Sequence, residues 1–218
     1  MKSICYLLLL FFFLLPMQGQ IIHVETGKTI SNFLYEDSNG NELKNMEGSN
    51  QNSLGIGVRK SIKHSRYHIS LGATYNRYGA EGSDNTLGNY YAYDVSYLGV
   101  TLAFDCEFLQ PEINYNEQHG FSFYPKISVA SEFLLNGWQN LNNEIYNLRG
   151  VEEFDQPLYF VRGGFGVNYY ISKKIILFSE YLLGQSILIG NYQNEEELRI
   201  RRHNISIGVA LNLFYIHD

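Results

Sequence analysis

Apolar and polar residues alternate one by one through most of this chain. At its close, His203, Ile205, Ile207, Val209, Leu211, Leu213 and Tyr215 alternate with Arg202, Asn204, Ser206, Gly208, Ala210 and Asn212. Successive side chains of a strand point to opposite faces, so this run predicts a strand with one greasy face and one small, polar face. The same pattern carries Leu54 to Arg59, His68 to Asn76, Leu98 to Phe108, Phe123 to Leu135 and Tyr159 to Ile171. The stretch from Ile175 to Leu188 fits less well, because Ile176 and Phe178 share a face with Glu180. It is counted as a seventh strand. Nowhere does a period of 3.6 persist for more than a turn or two.

Connection lengths organise these strands. Working back from the C-terminus they cover 189–198, 172–173, 137–157, 109–120, 79–89 and 63–65. Long and short alternate except at 109–120, as in an antiparallel outer-membrane barrel with short periplasmic turns and long outer loops. Such a barrel needs an even strand number, and Thr29 to Tyr35 (TISNFLY) is the candidate eighth strand, followed by a polar outer loop over 37–51. The expected fold is therefore all-β, an eight-stranded antiparallel up-and-down barrel. If the strand ending near Asn136 pairs directly with the one starting near Leu158, Glu132 faces Arg162.

Alternation alone does not say which face is inside. A soluble lipocalin-like barrel would bury the greasy face and expose Lys, Glu and Gln. Here the polar face is mostly Gly, Ser, Ala, Thr and Asn, as a narrow lumen demands. The greasy face carries Leu, Val, Ile and Phe with Tyr75, Tyr159, Tyr169 and Tyr215 near strand ends, as lipid and its interfacial girdles prefer. The Gly-x-Trp signature of lipocalins is also missing, since the single tryptophan, Trp138, stands at a loop edge. The lumen then holds Arg59, Asp105, Glu107, Lys126, Glu132, Arg162, Glu180 and Arg202, four bases and four acids. In so narrow a barrel they must pair across strands or suffer desolvation. A neutral polar plug that fixes register is the plainest role, with a gated conduit or signal-coupling core as the sharper one.

The remaining features refine this picture. An apolar run from Ile4 to Leu15 follows Lys2 and precedes Pro16 and Gly19, the layout of a secretory signal peptide over 1–19, with the barrel domain spanning 20–218. Met17 suits the −3 position poorly, so the cut can slip by two residues. Cleavage would leave Cys106 as the only cysteine and no intrachain disulfide. An aromatic content of 15% and a formal charge of −6 exclude disorder, a coiled coil and a disulfide scaffold, and argue against a nucleic-acid partner.

Catalytic and metal constellations are thin. His68, Ser70 and Asp105 are predicted to point the same way, yet the plainer reading is that they fill the lumen and satisfy one another's hydrogen bonds. His64 and His68 lie at a turn entering a strand, where a spacing of four does not bring two ligands together. Gly55, Gly57, Gly163, Gly164 and Gly166 lie within strands and not before a helix, so they read as interior or bend glycines. The sequon Asn204-Ile-Ser206 falls inside the last strand. No enzyme, cofactor or metal is expected. The expected partners are outer-membrane lipid and an envelope or extracellular protein reached through the loops at 37–51, 79–89, 137–157 and 189–198. Trp138, beside Gln139, Asn140, Asn142 and Asn143, is either an anchor for such a partner or a member of the outer aromatic girdle.

The signal peptide, the opening VETGKTISNFLYEDSNG, the LNNEIYN segment and the closing HNISIGVALNLFY resemble the small outer-membrane barrel proteins of the PorT-like type, and more broadly OmpA- and OmpX-like eight-stranded barrels. The resemblance covers nearly all of the mature chain and implies an outer-membrane barrel. It also implies, as an alternative to a structural or partner-binding role, a barrel accessory to a secretion machinery; because some small outer-membrane barrels are lipid hydrolases, a lipid-modifying enzyme is a further alternative.

Overall fold

The computed structural model describes residues 20–36, 46–62, 66–84, 88–108, 120–187 and 197–213. The segment 1–19 expected to be a signal peptide, the turn at 63–65 with His64, the connections at 109–119 and 188–196, and most of the first outer loop lie outside them. Nine strands follow in order: β1 (Gln20–Glu36), β2 (Met46–Ser61), β3 (Tyr67–Asp84), β4 (Asn89–Cys106), β5 (Gly120–Leu141), β6 (Glu144–Asn147), β7 (Leu158–Tyr170), β8 (Ile175–Ile187) and β9 (Glu197–Asn212). A single helical turn, α1 (Glu152–Asp155), precedes β7.

Eight of these strands form a closed ring. Each pairs antiparallel with its neighbour, and β9 returns to β1 from Ile21↔Asn212 through Glu36↔Glu197. Closure leaves no sheet edge, which is the condition for strands to cross hydrocarbon. β6 stands outside the ring as a hairpin arm folded back on the end of β5. The two ends of the barrel are called here the terminus end, which carries Gln20 and Leu213, and the loop end.

The outward face is apolar over the middle of most walls, with Thr26 and Lys28 of β1 as polar exceptions. On β4, Leu98, Val100, Leu102 and Phe104 are between 39% and 54% exposed, and the next outward residues toward the loop end are Ser96 and Asp94. A soluble barrel cannot present such a belt, so the greasy face meets lipid. A membrane crossing takes about 9–11 tilted strand residues, whereas β5 has 22. The loop-end parts of the strands therefore stand beyond the apolar belt.

Several boundaries differ from the sequence reading. β1 begins at Gln20, well before Thr29, because its polar residues occupy both faces: Glu25 points in while Thr26 and Lys28 point out, which hides the period of two. β2 begins at Met46, inside the expected loop, and β3 and β4 narrow the 79–89 connection to 85–88. The 137–157 segment is not one loop. β5 continues to Leu141, and Asn142 and Asn143, with φ of 51° and 72°, make the two-residue turn that launches β6. Paired left-handed residues suit the right-handed twist of a hairpin, and Asn tolerates them. β8 is regular after all: Ile176, Phe178 and Glu180 all point inward, and Leu177, Ser179 and Tyr181 outward.

The interior is layered. Toward the loop end Phe33, Tyr78, Val95, Tyr97, Phe160 and Ile200 form a buried apolar cluster, closed by Leu148 and Phe154 from the β5–β7 connection. Toward the terminus end Ile21, Ile176, Phe178 and Ala210 form a smaller one. All the expected lumen charges lie between them.

Candidate functional site

Two charge networks occupy the middle of the barrel. In the one nearer the terminus end, Arg59 on β2 donates from Nε to Asp105 Oδ1 at 3.2 Å and from Nη2 to Asp105 Oδ2 and to Glu107 Oε1. Its guanidinium lies 5.3 Å from the Tyr124 ring centroid. His68 Nδ1 stands 3.2 Å from Asp105 Oδ2, and Glu107 also accepts from Tyr170 Oη at 3.0 Å and from Asn168. Lys126 Nζ reaches both Glu180 oxygens at 2.8 Å, and the Tyr124 hydroxyl donates to the same carboxylate at 2.7 Å.

The second network centres on Glu132, which is fully buried. Its carboxylate accepts from Arg162 Nη2, from Asn76 Nδ2 at 2.7 Å and from Tyr78 Oη at 2.7 Å, while Arg202 Nη1 donates to Tyr78 Oη at 2.9 Å. Gly99 makes room for this side chain, since a Cβ there would lie 2.8 Å from Glu132 Cγ. Glu132 and Arg162 meet, but not through the expected register. Arg162 is paired with Ser128 and Glu132 with Leu158, so the contact runs diagonally along the strands. The offset arises because the end of β5 pairs with β6 and not with β7. A long guanidinium side chain spans the difference.

All eight expected lumen charges thus point inward and gather into these networks. One was missed. Glu25 projects into the same interior and accepts from Ser206 Oγ at 2.9 Å, so the acids outnumber the bases that were read as balanced. The signal for it was the alternation of Ile21, His23, Glu25 and Gly27 against Ile22, Val24 and Thr26, which becomes visible once β1 is started at Gln20.

Little space remains between the networks. A cavity of about 40 Å³ is lined by Glu25, Ser128, Arg162 and Arg202, and one of about 20 Å³ by His23, Arg59, Asp105 and Lys126. A buried water needs roughly 10–15 Å³ and polar partners. Ser128 Oγ, Arg162 Nε and Arg202 Nε, which have no bond to protein, border the larger cavity and supply such partners. These spaces suit a few waters. A hydrolytic substrate does not fit between His68, Ser70 and Asp105, whose carboxylate is occupied by Arg59. Asn204 is likewise committed, donating to Thr29 Oγ1 and Ser53 Oγ at 2.9 and 2.8 Å inside the wall, so the sequon is inaccessible.

A roomier polar site lies on the outside, at the loop end. A cleft of about 490 Å³ is lined by Ser49, Gln51, Glu81, Tyr93, Asp94, Trp138, Asn140 and Ile145. The Asn142-Asn143 turn contributes to it by laying β6 alongside the end of β5. Asn142 Oδ1 accepts from the Tyr90 amide at 2.8 Å, and Asn142 Nδ2 donates to Asn89 Oδ1 at 2.7 Å, tying the hairpin to β4. Trp138 stands opposite Asp94 and is 44% exposed. Asp94 accepts from Arg77 Nη2 at 2.5 Å. On β6 the hydrogen bond to Glu144 raises the Tyr146 phenol above its ordinary range. Trp138 thus lines a polar cleft beyond the apolar belt.

Two solved structures share this architecture. Neisserial surface protein A is 12% identical, with a TM-score of 0.52 over 90% of this chain and 98% of its own. The outer membrane protein OprG from Pseudomonas aeruginosa is 12% identical, with a TM-score of 0.53 over 89% of this chain and 97% of its own. The fold is that of the small outer-membrane β-barrels, and the chain crosses a membrane with its strands. No family model matches the chain, and no curated protein does. The likeness to PorT-like barrels rests on the quoted segments alone.

Proposed function

We propose that this chain is an integral outer-membrane protein that acts from its surface, holding an envelope or extracellular partner at the cleft around Trp138, and that it is not an enzyme. The observation that carries this reading is the contrast between inside and outside. The lumen is filled by paired charges and closed toward both ends by apolar clusters, with cavities of tens of Å³. The cleft offers about 490 Å³ with an exposed indole, carboxylates and amides in one wall. Exposed aromatic side chains flanked by polar groups are the residues that anchor partners. The long loops of such barrels face outward from the cell, so the cleft would be extracellular.

A photo-crosslinking residue placed at Trp138 tests this on whole cells. A discrete adduct is expected there and not from the same residue at the lipid-facing Val129. Asp94→Ala, which removes the carboxylate opposite the indole, should weaken it. Identical products from both positions, or no product at Trp138, would refute the reading.

A further inference from the structure

One wall of the barrel combines a lysine and an arginine-histidine ladder with an apolar groove. Lys28 points outward from β1, between Thr26 and Ile30, and stands opposite Ile205, which is 59% exposed. Among the described residues, no ion pair involves Lys28. A lone cation in a lipid-facing ladder is costly unless an anion joins it there. Nearer the loop end on the neighbouring β9, His203 and Arg201 also point outward. His203 Nδ1 is 2.9 Å from Tyr181 Oη, and Arg201 uses Nε to donate to Gln185 Oε1 at 3.0 Å. On the opposite wall at this end the outward charges include Glu81, Asp94 and Arg77, and there the cation is already paired, Arg77 with Asp94.

The groove begins where this ladder stops. It has a volume of about 630 Å³ and runs around the wall from Leu54 on β2 across β1, β9 and β8 to Tyr169 on β7 and Phe121 on β5, with Thr26, Ile207, Val209 and Leu177 between. Thr26 is the outward residue next to Lys28, so the cation stands at the mouth of the groove. From Ile207 to Arg201 the strand rises about 20 Å at roughly 3.4 Å per residue. A tilt of about 45° reduces that to about 14 Å along the membrane normal, close to the roughly 15 Å depth of one hydrocarbon leaflet.

We propose that this wall is a specific site for one anionic, phosphate-bearing lipid, with the headgroup phosphate held by Lys28, Arg201 and His203 and an acyl chain whose end reaches the groove. The charge sign selects the phosphate, because ammonium and guanidinium groups form charge-assisted bonds with it that water alone does not replace. The groove selects a lipid over a free anion. The separation of the two parts selects a lipid of the leaflet at the loop end.

Native mass spectrometry of the detergent-purified full chain tests the assignment with lipid A carrying two phosphates as probe. The wild-type protein is expected to retain one lipid A and to bind its dephosphorylated form at least about tenfold more weakly. Lys28→Gln with Arg201→Gln should lose affinity by at least about the same factor, and Val209→Trp should lower it by filling the groove while leaving the cations in place. Asp94→Asn, on the opposite wall, should bind as the wild type does. Heat-dependent gel mobility establishes that each variant is folded, and the two routes to lost binding do not share a folding defect. Equal retention of the phosphorylated and dephosphorylated lipids, or unchanged binding by both the cation and groove variants, would overturn the proposal. Displacement of the lipid by millimolar inorganic phosphate would overturn it too, by assigning the cations to a free anion.

Discussion

Removing Arg162 should cost the barrel more than removing Arg162 and Glu132 together. Glu132 is fully buried and Arg162 is 4% exposed, so Arg162→Ala leaves a dry carboxylate. Breaking such a pair typically costs about 3–5 kcal/mol, whereas replacing both partners is often nearly neutral. The structure places this case at the low end, about 3 kcal/mol, because Asn76 and Tyr78 still donate to Glu132 at 2.7 Å and Arg202 stands 3.9 Å away. Glu132→Ala should be worse, since it strands the Arg162 guanidinium, whereas Arg202 keeps its bond to Tyr78 at 2.9 Å in every variant. For a chain of this size about 3 kcal/mol corresponds to roughly 6–12 °C in unfolding midpoint. The emission of Trp138, the only tryptophan, follows urea unfolding in detergent micelles and supplies the double-mutant cycle. If the double variant loses the sum of the single losses, the two side chains are not coupled in the lumen, and the diagonal contact is refuted.

Three further outcomes are expected. Asn143→Val forces a β-branched residue into a left-handed turn, at a cost of about 1–3 kcal/mol, and should abolish crosslinking from Trp138 while Asn143→Gly preserves it. In a Cys106→Ser background, a cysteine at Glu144 should react with a membrane-impermeant maleimide on whole cells and one at Ser172 should not; the reverse result would invert the barrel. Gly99→Val should drive a side chain against Glu132 and lower the unfolding midpoint by about 1–3 kcal/mol worth of stability, whereas Val100→Ile, on the lipid face, should leave it unchanged.

The alternation of residues determined a good deal of this protein by itself. Pleating sends neighbours to opposite faces whatever the distant chain does, so Ile205, Ile207 and Val209 were legible as one face and Arg202, Asn204 and Ser206 as the other. The small size of the polar face was enough to place it inside a narrow ring, and with it the inward direction of Arg59, Asp105, Lys126, Glu132 and the other lumen charges. Where polar residues fall on both faces, as in the stretch from His23 to Lys28, the period vanishes, and the start of β1 and the inward Glu25 vanished with it. What each charge meets was decided only by the tertiary structure. Register depends on which strand the end of β5 chooses, and that choice rests on a two-residue Asn turn that no period reports. Ring closure by β9 against β1 then brings Arg202 to Tyr78 and Asn204 to Ser53, residues more than a hundred positions apart. The same closure sets Lys28 above the groove on β8 and β9. Such meetings depend on the stagger of the whole ring, a property that no local stretch of sequence contains.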